Sequence, residues 1–307
     1  MRRKTKQILV RIIGIMLLAV LSIFINQFIS ESEKEASKDT VKPTDIMEVH
    51  FIDVGQGDAI FVEAGNSTLL IDAGENNKGT IVKEYLKKQQ ITKLDYVIGT
   101  HPHSDHIGGL DTILDSFEVG KVLLPNVVHT TKTYEDVLNS LDRHNLSITA
   151  PEVGSRYYLG QANFTILAPT RSDYDEINNY SIAIKLAFGD TAFLLAGDAE
   201  KLSEDEMIKS GIDISADVLK LSHHGSAYSS SNNFLHAVSP SYSVVCVGKD
   251  NEYGHPHSET LQTILDHEIK LYRTDEQGTV VFTTNGQTIS VNTQDYIITE
   301  QDLEQRK

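Results

Sequence analysis

The stretch His101-Pro102-His103-Ser104-Asp105-His106-Ile107-Gly108-Gly109 places three imidazoles and one carboxylate within six residues. Imidazole nitrogen and carboxylate oxygen are the ligands that zinc, manganese and iron accept. His101 and His103 alternate, so on extended chain they face the same way. Asp105 and His106 are adjacent and can reach a second position. The spacing therefore predicts two divalent metal ions side by side. The plain alternative is a histidine-rich surface loop.

Further residues can join this loop. Asp198 ends the apolar run Phe193-Leu194-Leu195-Ala196-Gly197. A carboxylate there is placed to bridge two cations, although a turn aspartate has the same surroundings. Asp72 closes a similar run before Ala73-Gly74, and either orients a ligand from behind or starts the turn. His223-His224 follow the run Asp217–Ser222. One of the pair can complete the second metal site and the other can donate to substrate; which does which stays open. His255, in Asn251-Glu252-Tyr253-Gly254-His255-Pro256-His257, is another candidate, whereas His257 reads as a turn and helix start. His50, His129, His144, His236 and His267 lie in strand, loop or helix patterns and read as structural or surface residues.

The elements that must carry these residues are strand ends. Runs at 48–54, 59–63 and 67–74, separated by Gly-rich turns, read as an antiparallel opening. Helical periodicity starts near Gly79. The strand at 94–100 runs into the histidine loop, and strand 121–124 and helix 134–144 follow. The second half repeats the theme. Strands are expected near 164–167, 182–188, 192–196, 217–222 and 242–247, with helices near 203–210, 231–238 and 258–267, and closing strands near 269–272, 279–283 and 287–292. Two strand blocks, each followed by helices, predict an α+β chain built as a four-layer αββα sandwich, one domain over 46–307.

The chain has 307 residues and a formal charge of −16. Arg2, Arg3, Lys4, Lys6 and Arg11 precede the first acid, Glu31, so the rest is more acidic still. That argues against a broad electrostatic footprint for duplex DNA, but not against a polyanion gripped locally by metal ions. The single cysteine, Cys246, rules out an internal disulfide and a cysteine-based zinc site, and reads as a buried strand residue. Residues 1–29 combine a basic tip with an apolar run, of which Ile12–Ile29 is just long enough to span a bilayer. The positive flank predicts a cytoplasmic N-terminus and an extracytoplasmic body held by an uncleaved signal-anchor; secretion after signal cleavage is the alternative. Residues 30–45 read as a flexible linker.

The order Asp72, His101-x-His103-x-Asp105-His106, Asp198 and His223-His224 resembles the metallo-β-lactamase fold superfamily, over about residues 46–293. Phe51-Ile52-Asp53-Val54-Gly55-Gln56-Gly57-Asp58, Asn179-Tyr180-Ser181, His223-His224-Gly225-Ser226 and Tyr253-Gly254-His255-Pro256 are similar to the hydrolase domain of ComEC-type DNA-uptake competence proteins. That domain is implicated in degrading the strand that is not imported. The resemblance implies the αββα sandwich and a dinuclear site between the sheets. Many members carry a further histidine where Asn178-Asn179-Tyr180-Ser181 stands here. The first site, His101 and His103 with Asp198 shared, is thus expected to bind more weakly or to take Asn179 as an oxygen ligand. No polytopic channel accompanies the motifs, so DNA import is not expected.

The expected activity is hydrolysis of a phosphodiester, with DNA as one substrate, by a hydroxide generated between two metal ions. Zinc fits the histidines; manganese or iron fits the carboxylates. Asp105, His106 and one of His223 and His224 hold one ion, His101 and His103 the other, and Asp198 bridges. Asp105 also steers the nucleophile, His255 or the spare histidine protonates the leaving group, and Ser226 binds a phosphate oxygen. Competing expectations are a small ester, a lactone, a β-lactam or a wall phosphorylcholine ester on the same site, and a non-catalytic module that binds DNA or wall polymer. The sequence does not set the oligomeric state.

Overall fold

The opening runs Met47–Phe51 (β1), Ile60–Ala64 (β2) and Ser67–Ile71 (β3) pair antiparallel in a meander. All five β2 residues are buried, because both faces of the sheet are covered. A crossover helix, Gly79–Lys88 (α1), then leads to Lys93–Ile98 (β4), which lies parallel to β3. Short helices Ser104–Ile107 (α2) and Leu110–Leu114 (α3) precede Glu118–Leu123 (β5). Lys132–Arg143 (α4) follows, capped by the Thr131 side chain accepting from the Tyr134 N–H. Ile148–Thr149 (β6) ends this half.

The second half repeats the grammar. Arg156–Leu159 (β7), Ala162–Ala168 (β8), Ala183–Phe188 (β9) and Thr191–Leu195 (β10) are antiparallel. Lys201–Lys209 (α5), Val218–Lys220 (β11), Asn232–Val238 (α6), Tyr242–Val245 (β12), Ser258–Asp266 (α7) and Lys270–Arg273 (β13) then alternate, and the strands run parallel. After Thr274–Gln277 (α8) come Val280–Thr284 (β14) and Ile289–Val291 (β15), then Glu300–Leu303 (α9). This computed structural model describes residues 45–304. The expected anchor at 12–29 and, Asp45 apart, the linker at 30–45 lie outside them. Among the described residues no helix is long and apolar enough to cross a membrane.

Three apolar layers define the stacking. One lies between the sheets and joins Val49, Phe51 and Val62 to Phe164, Ile184 and Phe193. A second packs α1, α3 and α4 onto the first sheet through Val82, Leu86, Ile113 and Val137. A third packs α5, α6 and α7 onto the second through Met207, Phe234 and Ile264. The expected αββα sandwich is therefore the fold. One detail differs. Of the three closing strands, β13 stays with the second block but β14 and β15 do not: β14 pairs antiparallel with β1, giving sheet orders β15-β14-β1-β2-β3-β4-β5-β6 and β13-β12-β11-β10-β9-β8-β7. Val280 and Phe282 are wholly buried there, which the unpaired flank of β1 makes possible. β6 and β7 were not foreseen, being a two-residue strand and a partly exposed edge.

Candidate metal centre

Parallel strands bring their carboxyl ends to one rim, where an open α/β sheet collects its ligands. Here β3 delivers Asp72, β4 delivers His101 to His106, β10 delivers Asp198, and β11 delivers His223 and His224. The backbone is bent to aim them. Asp72, His223 and His224 have φ of 58°, 50° and 53°, a left-handed region that non-glycine residues seldom occupy. Gly57 has φ of 115°, and a Cβ there would lie 2.1 Å from the Asp105 carbonyl oxygen. The glycine thus lets the Gly55–Asp58 turn press against the histidine loop, where the Asp58 N–H donates to that carbonyl at 3.1 Å.

Four side chains converge. Asp105, His106, Asp198 and His224 each offer a ligand atom, all within 4.8 Å of one another. His224 Nε2 is 3.2 Å from Asp105 Oδ2 and 3.5 Å from Asp198 Oδ2. His106 Nε2 is 3.1 Å from Asp198 Oδ2, yet it makes no hydrogen bond and is buried. Of the histidine pair, it is His224 that joins this group. His223 turns Nδ1 to Glu200 at 3.5 Å, and its Nε2 stays 3.9 Å from Asp198.

Second partners fix which ring nitrogens are free. The Cys246 carbonyl can only accept, so His224 Nδ1 donates to it at 2.8 Å and Nε2 keeps its lone pair. His106 Nδ1 donates to Asp72 at 2.8 Å, and Asp72 also accepts from the Thr100 hydroxyl and N–H. Asp72 is thus the orienting carboxylate behind a ligand. His101 Nδ1 lies 3.2 Å from the Thr100 hydroxyl and 3.3 Å from that of Ser181. Its Nε2 points at His103 Nδ1, 3.0 Å away, and at Asp198 Oδ2, 3.9 Å away. Buried ring nitrogens and carboxylate oxygens crowded onto one point fit a metal ion.

Electrostatics agree. Burial opposes charge on His106, but Asp198, Asp105 and Asp72 outweigh it and hold its pKa well above the ordinary value. Burial also opposes ionisation of Asp105 and Asp198, and the neighbouring histidines overcome it, keeping both well below the usual carboxylate range. His101 and His103 move the other way, lowered by burial and then by His106.

The remaining expectations divide. His255 lines the cleft with His223 and His224, while burial and the His224 and His257 rings pull its imidazole down to about 3. Ser226 does not line the cleft: its hydroxyl accepts from the Tyr228 N–H and its own N–H donates to the His223 carbonyl. The turn after β11 consumes it. Asn179 Oδ1 accepts from the Glu200 N–H at 3.2 Å, which commits one of its two lone pairs to the turn after Asp198. His129, read as a surface residue, lines the cleft with its ring 6.3 Å from that of His103. His257 does start α7, and its Nδ1 accepts from the Ala227 N–H. Sequence reasoning missed Asp58, Lys220 and Glu200. The only signal was polar residues set in otherwise apolar or turn segments beside the motifs. The cleft holds about 330 Å³.

This fold and this donor set define a metallohydrolase scaffold. The chain belongs to the metallo-β-lactamase superfamily: residues 52–249 match the family described as "Metallo-beta-lactamase superfamily". It is 31% identical over 253 residues to ComE operon protein 3 of Bacillus subtilis (strain 168), covering 76% of this chain and 33% of that protein. It is 31% identical over 235 residues to competence protein ComA of Neisseria gonorrhoeae, covering 75% of this chain and 31% of that one. The chain thus spans about a third of these curated relatives' length. The metallo-beta-lactamase fold protein YhfI from Bacillus subtilis superposes with a TM-score of 0.51 at 15% identity, over 78% of this chain and 100% of that one, a likeness of fold.

Proposed function

We propose that this chain is a metal-dependent phosphodiester hydrolase acting on nucleic acid. One observation carries the reading. Asp198 Oδ2 faces ring nitrogens of four histidines, at 3.1 Å for His106, 3.5 Å for His224 and 3.9 Å each for His101 and His223. A single carboxylate oxygen at the hub of four imidazoles suits a shared ligand. Asp105, His106 and His224 would hold one ion, His101 and His103 the other.

Two divalent ions held there, zinc by ligand preference and manganese or iron by the carboxylates, would supply Lewis acidity that activates water near neutral pH and offsets charge on the displaced oxygen. The chain's own residues do the rest. Asp105 stays ionised against its burial because His106 and His224 lie beside it, so it can orient a nucleophilic water. His223, braced by Glu200 at Nδ1, presents Nε2 to the cleft and delivers the proton to the departing alkoxide. His255 is neutral at pH 7 and serves as a hydrogen-bond partner of substrate. The sequence motifs shared with ComEC-type hydrolase domains, together with a relative named as a competence protein, support nucleic acid as the polymer. The apolar run at 12–29 supports an extracytoplasmic unit tethered to the cell membrane.

The test is to load the chain with zinc or manganese and incubate it with single-stranded and duplex DNA, with His103→Ala as control. Metal-dependent cleavage lost in the variant supports the reading. Intact DNA in the presence of bound metal refutes it and returns the site to small esters and wall polymers.

A further inference from the structure

We propose that Tyr253 is a stacking platform for an unpaired nucleobase, and so makes the cleft prefer single-stranded over duplex substrate. This rests on the phosphodiesterase reading and specifies its substrate.

Tyr253 lines the same cleft as Asp105, Asp198 and His224. It is 57% exposed, unusual for a large aromatic residue beside a buried ionic cluster. Its ring stacks on that of His255, with centroids 5.7 Å apart and planes 25° from parallel. One face is therefore backed, and much of the ring remains open to solvent.

The platform is held in place before anything binds. Asn251 Nδ2 donates to the carbonyls of Gly248 and His255, at 2.9 and 2.6 Å, while its Oδ1 accepts from the His255 N–H at 3.0 Å. His257 Nδ1 accepts from the Ala227 N–H, so its Nε2 carries the hydrogen and donates to the Tyr253 carbonyl at 3.2 Å. A ring fixed by its own loop loses little entropy when it stacks.

Charge points the same way. Among the described residues, no lysine or arginine lines the cleft. Proteins that track a duplex do so mainly through cationic contacts to phosphates. A stacking surface adds a contact that needs no cation, through the π-face that every base offers. In a duplex those faces are already stacked on neighbouring pairs, so only an unpaired base can lie on Tyr253.

The experiment compares two single-stranded oligomers of equal length, oligothymidylate and an abasic tetrahydrofuran phosphodiester, with the metal-loaded chain. The wild type is expected to cleave the thymidylate with a kcat/KM higher by roughly one to two orders of magnitude, the scale of one base–aromatic stack. Tyr253→Leu should collapse that ratio through KM, while Tyr253→Phe and Tyr253→Trp keep it. A structural defect would slow both oligomers equally and leave the ratio alone. An equal rate on both oligomers in the wild type, or an unchanged ratio in Tyr253→Leu, overturns the proposal. If neither oligomer is cleaved, the hydrolase reading falls separately, and fluorescence anisotropy of the same oligomers decides on Tyr253. Tighter thymidylate binding that Tyr253→Leu abolishes supports the platform; equal binding overturns it.

Discussion

Lys220 Nζ lies 2.5 Å from Asp58 Oδ2, and both side chains are sealed from solvent. The ammonium also donates to the Gly197 carbonyl at 3.0 Å and sits 3.6 Å from Asp198 Oδ1. Burial opposes its charge, but Asp58 and Asp198 outweigh the penalty and raise its pKa. One oxygen of Asp198 is thereby occupied with a fixed cation, and the other is left to the histidines.

Removing that cation strands Asp58 as an uncompensated buried charge. Lys220→Met is expected to destabilise the metal-free protein by about 3–5 kcal/mol. Lys220→Met combined with Asp58→Asn should regain much of the loss. Urea unfolding of the three proteins measures this, and equal loss in single and double variants contradicts the pairing.

Asp72 is wholly buried and holds His106 by Nδ1. Asp72→Asn should weaken metal binding by about 10–100-fold, the range for outer partners of ligating histidines. Competition with a chromophoric chelator reads the change. Unaltered affinity would mean that Thr100 and the loop backbone suffice to orient the ring.

The raised pKa of His106 gives a pH dependence with a definite sign. Without metal, its protonated form contributes stability that is fully present below the ordinary value of 6.5 and is lost as pH rises through the raised one. Metal binding needs the neutral ring, so it expels a proton, and affinity should strengthen as pH rises over that window. Calorimetric titration in buffers of different ionisation heat tests this. Heats independent of buffer contradict it.

Asn179 braces the turn after Asp198 by accepting from the Glu200 N–H. Asn179→Ala should cost about 1 kcal/mol, the scale of one hydrogen bond, with metal stoichiometry unchanged. A lost equivalent of metal by mass spectrometry would restore Asn179 as a ligand.

The layers and most of the donor set were legible because they are local. Alternation and apolar runs mark strands, and His101 to His106 are neighbours in sequence. Asp72 and Asp198 were legible as carboxylates at strand ends. What escaped depends on long-range closure. Lys220 sits in an apolar strand, and only the fold shows Asp58 opposite it. Ser226 and Asn179 carried the right chemistry, but backbone N–H groups claimed their oxygens. His223 and His224 could be told apart only by the left-handed turn that points them differently. The return of β14 to β1 depends on which strand edge stays open, which no local pattern encodes.

The central claim is a metal-dependent hydrolytic centre built on Asp105, His106, Asp198 and His224. Its most direct test is the cleavage rate of single-stranded DNA by the metal-loaded chain and by Asp105→Asn at matched metal content and fold. The account predicts a fall of more than about 100-fold, beyond that of an outer-partner change. Wild-type turnover in a folded, metal-loaded Asp105→Asn protein would contradict it.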